Sequence, residues 1–341
     1  MAGRSSASFR RGSVPFRYRL EVLGVWLLYR LVPLLPRETL VALGRGLGRL
    51  GFVFLRHDRK VALANLDLAY GETLTPREKR RVARRSFESF GQVGLEIFWA
   101  RRVDQRMLES LVDMDPEDER RTRKLYEEGR GVIVLTSHMG SWEITNMHGA
   151  ASGMPMATLA RRLRNEPLND LVNANRSHHG GEVILHDAAA RGILRALKKK
   201  KLVAVPLDQN TRPDRGGCYV DFFGKPVSAS RAIGTFALRT GAPIITATCL
   251  PLRGGRYRIE WGPPLPLPPE ETPDRERAIT QVCVSFIEKK VRERPDAWLW
   301  AYRRWKYRPS QDAAGFPYYS KHVPEPLPAT PTRASEQEIG R

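Results

Sequence analysis

The sequence predicts an α/β fold: a largely parallel mixed sheet flanked by helices, with an N-terminal helical membrane-associating segment. Three observations lead there. Short continuous runs of apolar, β-branched residues recur through the middle of the chain, helix signals fall between them, and an apolar stretch with basic flanks opens the chain.

Residues 1–19 are arginine-rich among small and polar neighbours and read as a basic, disordered start. The apolar run from Leu20 to Leu35 lacks the small-x-small pattern of a cleaved signal. Arg30 and Pro33 interrupt it, short of the about 20 apolar residues a spanning helix needs. From Leu40 to Leu55, Arg45 and Arg49 stand four apart on one helical face with leucines and phenylalanines opposite, as in a helix lying in a bilayer interface. The competing reading is a pair of ordinary amphipathic core helices. Residues 20–56 are therefore expected to form membrane-associating helices, with the basic flanks on the cytoplasmic side.

The next element starts at Thr75-Pro-Arg-Glu78, a capping box with proline at the first helical position, and should run as a helix to about Trp99. A second helix opens at Asp115-Pro116 and stops at Gly129 or Gly131. The pattern then changes. "GVIVLTS", "MATLA", "EVILH", "LVAVPL", "PIITATCL" and "YRIEW" read as strands, most of them covered on both faces. Helices are expected between them at 141–152, 165–178, 188–199 and 228–240, with another over 275–294. Residues 57–309 form the main domain, and 310–341 read as a proline-rich, loosely attached tail.

The charge balance narrows the partners. With 57 Lys and Arg against 37 Asp and Glu, the net charge of +20 gathers anionic molecules: nucleic acid, anionic lipid, phosphates or an acidic carrier protein. Three widely spaced cysteines, Cys218, Cys249 and Cys283, give neither a disulfide framework nor a zinc site and point to a reducing compartment.

The chemistry concentrates in "VIVLTSHMGSWEITNMHGA". His138 follows a strand and precedes a helix, the crevice where open α/β sheets bind ligands. Glu143 in the first helical turn can reach back to the imidazole and hold one ring nitrogen protonated, which leaves the other as a general base. The helix amino terminus is expected to keep His138 neutral. A structural, hydrogen-bonding histidine is the alternative reading. Ser137 lacks a G-x-S-x-G elbow and is set aside as a nucleophile, and no histidine spacing fits a metal site.

The run "SHMGSWE" resembles the H-x₄-D/E motif of glycerolipid acyltransferases, in the form typical of the lipid A biosynthesis lauroyl/myristoyl acyltransferase family. Three further blocks are similar to that family. They fall on Arg161, Asn165, Arg176 and Gly180; on Asp208, Gln209, Phe222, Phe223, Gly224, Pro226 and Thr240 to Pro243; and on Trp300, Arg303, Arg304, Trp305, Lys306, Arg308 and Pro309. Tyr302 departs from the usual histidine, Asp221 from a common proline, and Ser228-Ala229-Ser230 from frequent threonines. The resemblance covers about residues 20 to 309.

The resemblance implies an acyltransferase domain over 57–309 and direct transfer of a fatty acyl group from acyl carrier protein or acyl-CoA to a hydroxyl of a lipid A precursor. It gives catalytic parts to His138 and Glu143, with Arg176 near the centre and Asp208 as an organiser. Substrate contacts are expected from Arg161, Arg164, Asn165, Gln209, Gly224, Arg303 and Arg304, with Arg161 and Arg164 as phosphate forks, for which a solvated basic helix start is the alternative reading. It also implies an anionic lipid acceptor at the inner membrane with the site facing the cytoplasm, and no metal or bound cofactor. The alternatives are another glycolipid or lysophospholipid acceptor, such as a phosphatidylinositol mannoside, and a non-catalytic basic membrane scaffold. The aromatic and basic run "WLWAYRRWKYRP" has no nucleic-acid fold signature around it, so nucleic acid is not expected as a partner.

Overall fold

The computed structural model describes residues 16–154, 156–160, 165, 169, 181–185 and 189–325. Four helices come first: α1 Phe16–Leu31, α2 Arg37–Phe54, α3 Arg56–Tyr70 and α4 Pro76–Trp99. Next are α5 Gln105–Leu111, β1 Val112–Met114, α6 Pro116–Glu127, β2 Val132–Thr136 and α7 Trp142–Ala151. Then follow β3 Met156–Ala160, β4 Glu182–Leu185, α8 Ala189–Lys198, β5 Leu202–Pro206, β6 Gly217–Phe222, β7 Lys225–Ser230 and α9 Ala232–Thr240. The described chain closes with β8 Ile244–Pro251, β9 Tyr257–Trp261, α10 Arg275–Glu293, β10 Tyr307–Arg308 and β11 Lys321–His322.

Seven strands form one sheet in the order β1-β9-β8-β2-β5-β3-β4. All neighbours are parallel except β8 and β9, so the predicted mixed, mostly parallel sheet is present. β2 lies inside it, with Ile133 level with Val203 of β5 and with Ile244 of β8. Side chains alternate across a strand. Ile133 and Leu135 accordingly enter one core with Val203 and Val205, while Val132 and Val134 enter the other with Leu202 and Ala204. Burial on both faces explains why this strand is apolar without interruption.

The predicted caps form. Thr75 Oγ1 accepts from the Glu78 backbone at 3.3 Å, and Glu78 Oε2 accepts from the Thr75 backbone at 2.9 Å. Asp115 caps α6 through the Glu117 N–H at 2.9 Å. The helix expected over 228–240 begins later, at Ala232, because Lys225–Ser230 pairs with Gly217–Phe222 as an antiparallel hairpin. Its turn is Phe223-Gly224, both left-handed at φ 54° and 68°, a two-residue geometry matched to strand twist. Most of the helix expected over 165–178 lies outside the described residues.

The amino-terminal helices are part of the same packed body. A Cβ on Gly48 would stand 2.2 Å from the Phe87 carbonyl oxygen, and one on Gly91 would stand 2.3 Å from that of Gly44, so the α2 and α4 backbones touch. Arg37, at the start of α2, pairs with the buried Glu96 at 2.5 Å, and Glu96 also accepts from the Tyr257 hydroxyl at 2.7 Å. This network joins α2 and α4 to β9. Arg45 and Arg49 share a face as expected, but it is the flank toward α4, where they reach Gln92 at 3.1 Å and Glu88 at 2.8 Å. The outer face is apolar. Of fifteen large apolar side chains exposed among the described residues, twelve lie between Leu23 and Leu55. No described helix is long and apolar enough to cross a membrane.

The tail expected from residue 310 is packed as far as it is described. β11 pairs with β10, the Tyr319 hydroxyl bonds to Asn65 on α3, and Tyr219 donates to the Val323 carbonyl. Residues 326–341 of that tail lie outside the described residues.

Candidate active site

β2 delivers Ser137 and His138 to the carboxyl edge of the sheet, and the following loop is pinned on two sides. The Gly140 N–H donates to the Ala297 carbonyl at 3.0 Å, and Leu299 donates back to the His138 carbonyl at 3.2 Å. Gly140 takes φ 61°, and a Cβ there would lie 1.7 Å from the Cys249 carbonyl oxygen. No other residue fits this turn.

The neighbouring strand β5 ends just before Asp208, which comes to the same edge. His138 Nδ1 and Asp208 Oδ1 are 2.8 Å apart. Asp208 Oδ2 accepts from the His138 backbone at 2.8 Å and from Trp298 Nε1 at 2.9 Å. A carboxylate held by three donors fixes the imidazole, with Nδ1 protonated and Nε2 unprotonated. Gln209 Nε2 lies 3.3 Å from His138 Nε2, a geometry in which the amide donates. The Trp142 ring stands edge-on to the imidazole at 5.3 Å.

The expected partner of His138 is thereby replaced. Asp208, not Glu143, holds Nδ1. Glu143 is buried in the first turn of α7 and accepts from Trp142 Nε1 at 3.1 Å. The physical reason lies in the sheet: adjacent parallel strands bring Asp208 beside the imidazole, whereas the chain from His138 to Glu143 is drawn toward β8 at Gly140 and Ser141, whose N–H donates to the Cys249 carbonyl.

Electrostatics differ from the expectation as well. Burial pulls the His138 pKa down, but the Asp208 charge and hydrogen bond outweigh it and raise the pKa above the ordinary 6.5. Burial pushes Asp208 up, and the His138 charge, its two hydrogen bonds and the Trp298 indole more than offset this, leaving the carboxyl below its ordinary range. The carboxylate, rather than the start of α7, sets the imidazole's charge preference.

The other expected residues distribute unevenly. Arg304 is fully buried, where Nη1 donates to the Ser228 carbonyl at 2.9 Å. Burial lowers its pKa to about 10. It braces the β6–β7 hairpin from inside and does not offer a fork to a ligand. Arg303 is exposed, contacts His57, and has its carbonyl held by the Asn210 amide at 2.8 Å. Tyr302 accepts from the Asn210 backbone at 2.9 Å, which anchors the segment after Asp208. Gly224 serves the hairpin turn. Asn165 is buried, donating to Glu21 of α1 at 3.3 Å. Arg161, Arg164 and Arg176 lie outside the described residues. Trp298 and Trp142 were given no part in the site, although Trp142 stands within the run "SHMGSWE" and Trp298 opens the run "WLWAYRRWKYRP".

The sequence matches the family described as bacterial lipid A biosynthesis acyltransferase over residues 9–307. It is 28% identical to the lipid A biosynthesis lauroyltransferase of Escherichia coli (strain K12), over 86% of this chain and 93% of that one. It is 26% identical to the lipid A biosynthesis palmitoleoyltransferase of the same organism, over 88% and 95% of the two chains. A phosphatidylinositol mannoside acyltransferase of Mycobacterium tuberculosis is 23% identical, over 64% of this chain and 69% of its own. A strand-end histidine on a buried carboxylate, within a match spanning nearly the whole chain, places this protein in the bacterial lipid A biosynthesis acyltransferase family: it is an enzyme that transfers acyl groups.

Proposed function

We propose that the protein moves a fatty acyl group from an acyl thioester to a hydroxyl of a lipid A precursor at a membrane surface. The observation that carries this reading is the His138–Asp208 pair, with Nε2 turned to a neutral amide and open to exchange for a substrate hydroxyl. His138 Nε2 takes the hydroxyl proton as the oxygen attacks the thioester carbonyl. Asp208 stabilises the imidazolium that forms. Collapse of the tetrahedral intermediate breaks the C–S bond, and the departing sulfur takes the proton from Nε2. The acyl group is already activated as a thioester, so the steps balance with no metal or bound cofactor.

Glu143 acts through Trp142, holding the indole whose ring abuts the imidazole. Arg176 serves the oxyanion, Arg161 and Arg164 the acceptor's phosphates, and Arg303 the rim. The apolar outer face of α1 and α2 lies on the cytoplasmic leaflet of the inner membrane, with lipid-facing side chains such as Trp26, Leu47 and Phe54. The donor is an acyl carrier protein thioester, whose acidity suits the +20 charge, or acyl-CoA. A second reading, transfer to a mannosylated phosphatidylinositol, draws on the similarity to the mycobacterial enzyme.

The test uses purified protein, thioesters on carrier protein or CoA, and a panel of lipid acceptors, with products weighed by mass spectrometry. A lipid A precursor should gain one acyl group, and His138→Ala should abolish transfer without loss of vesicle binding. Retained transfer by His138→Ala sinks the mechanism. Vesicle binding with no transfer from any donor by the unaltered protein would favour a scaffold.

A further inference from the structure

Two glycines near the middle of α4 have different surroundings. Gly91 is required by packing, because a Cβ there would collide with α2. Gly94 is half-buried, yet a Cβ built on it would meet no atom of the described residues within 4 Å. A mid-helix glycine weakens a helix relative to alanine, and no contact in the described structure accounts for this one.

Its neighbours on the same face supply a reason. Residues four apart share a helix face, so Phe90, Gly94 and Phe98 form one stripe. At one end the Phe90 ring meets Trp142 at 6.1 Å, and Trp142 abuts His138 at 5.3 Å. At the other, Phe98 meets Tyr29 of α1 edge-on at 4.9 Å. Between two aromatic pairs lies a floor without a side chain, running about 12 Å along the helix axis. One end touches the reacting histidine and the other reaches the helix that carries exposed Trp26 and Leu27.

We propose that this trough holds the hydrocarbon tail of the acyl donor, and that the absence of a side chain at Gly94 sets how long a chain the enzyme accepts. The occupant follows from continuity: an acyl group whose carbonyl lies at His138 Nε2 must direct its tail away from the polar Asp208–Gln209 side, and the Trp142–Phe90 wall begins on the imidazole's flank. The inference rests on the acyl-transfer reading of His138.

Gly94→Leu fills the floor, and Gly94→Ala adds one methyl while favouring the helix. Each buried methylene contributes about fourfold in binding. The ratio of kcat/KM for long over short acyl thioesters should fall about fourfold in Gly94→Ala and at least about tenfold in Gly94→Leu. Melting of Gly94→Ala should be unchanged or raised, so the smaller variant carries the test if the larger one does not fold. An unchanged ratio in Gly94→Ala and Gly94→Leu, or an equal loss for all chain lengths, overturns the trough. If the unaltered protein transfers no acyl group from any thioester, the reading of His138 fails instead, which separates the two failures.

Discussion

Replacing Asp208 with asparagine tests the catalytic reading most directly. The carboxylate accepts from three donors: His138 Nδ1 and backbone N, each at 2.8 Å, and Trp298 Nε1 at 2.9 Å. Asparagine retains one acceptor oxygen and places an amide N–H₂ where a second acceptor stood. If the amide faces Nδ1, the imidazole must take the other tautomer, with Nε2 protonated and useless as a base. If it faces Trp298 and the His138 backbone, two buried donors lose their acceptor, at about 1–3 kcal/mol of stability. The first arrangement predicts a fall in kcat of about 10³ to 10⁴-fold with binding little changed.

The pH dependence has a sign. The raised pKa of His138 contributes stability that is complete below its unfolded value near 6.5 and is lost as pH rises through the folded value. The lowered pKa of Asp208 contributes stability that is complete above its unfolded value near 3.8 and is lost as pH falls through the folded value. Both contributions are present together between about pH 4 and 6.5, so Asp208→Asn should lower Tm most within that window. The acidic limb of kcat/KM, set by His138 deprotonation, should move to lower pH, because burial remains while the raising charge is gone. Steady-state kinetics across pH 5 to 9, with Glu143→Gln in parallel, reads both. A Glu143→Gln profile that carries the limb shift and large kcat loss, with Asp208→Asn within about threefold of the unaltered enzyme, would refute this assignment.

Other substitutions follow from the same geometry. Trp298→Phe removes one donor from Asp208 and should lower stability by about 1–3 kcal/mol in thermal melts, with kcat falling more than KM rises. Gly140→Ala meets both a left-handed backbone and the Cys249 carbonyl, so melting should show a loss of about 3 kcal/mol or more together with activity. Leu47→Glu with Phe54→Glu should leave the melt within about 1 kcal/mol, since both side chains are exposed, but release the protein from anionic vesicles in a flotation assay; undiminished binding would count against the α1–α2 surface.

The central strands were legible because burial on both faces forces an unbroken β-branched run, and the α4 start because a capping box is a local device. The β6–β7 hairpin was not. Its turn places Phe223, not asparagine or glycine, in the first left-handed position, and Ser228-Ala229-Ser230 resembles a helix start when Arg304 beneath it is unseen. At the site, the strand-to-turn pattern found His138, but local spacing selected Glu143 as its partner. Asp208 is seventy residues away in sequence and adjacent only through strand pairing, so resemblance alone flagged it. Arg304 was misread for a similar reason: charge predicts exposure, and only the packed hairpin and the segment after Trp300 reveal an enclosed guanidinium.

The glycine contact between α2 and α4 has a mechanical consequence. One flank of α4 lies backbone to backbone on the helix proposed to face lipid, and Phe90 on the same helix meets Trp142 beside His138. Arg37 and Glu96 lock the arrangement to β9, so packed and hydrogen-bonded elements link the surface proposed to face lipid with the reacting nitrogen. On the proposed bilayer contact the helix would act as a gauge: the fold would fix the height of Nε2 above the headgroups, and acceptor hydroxyls would be selected by how far they protrude.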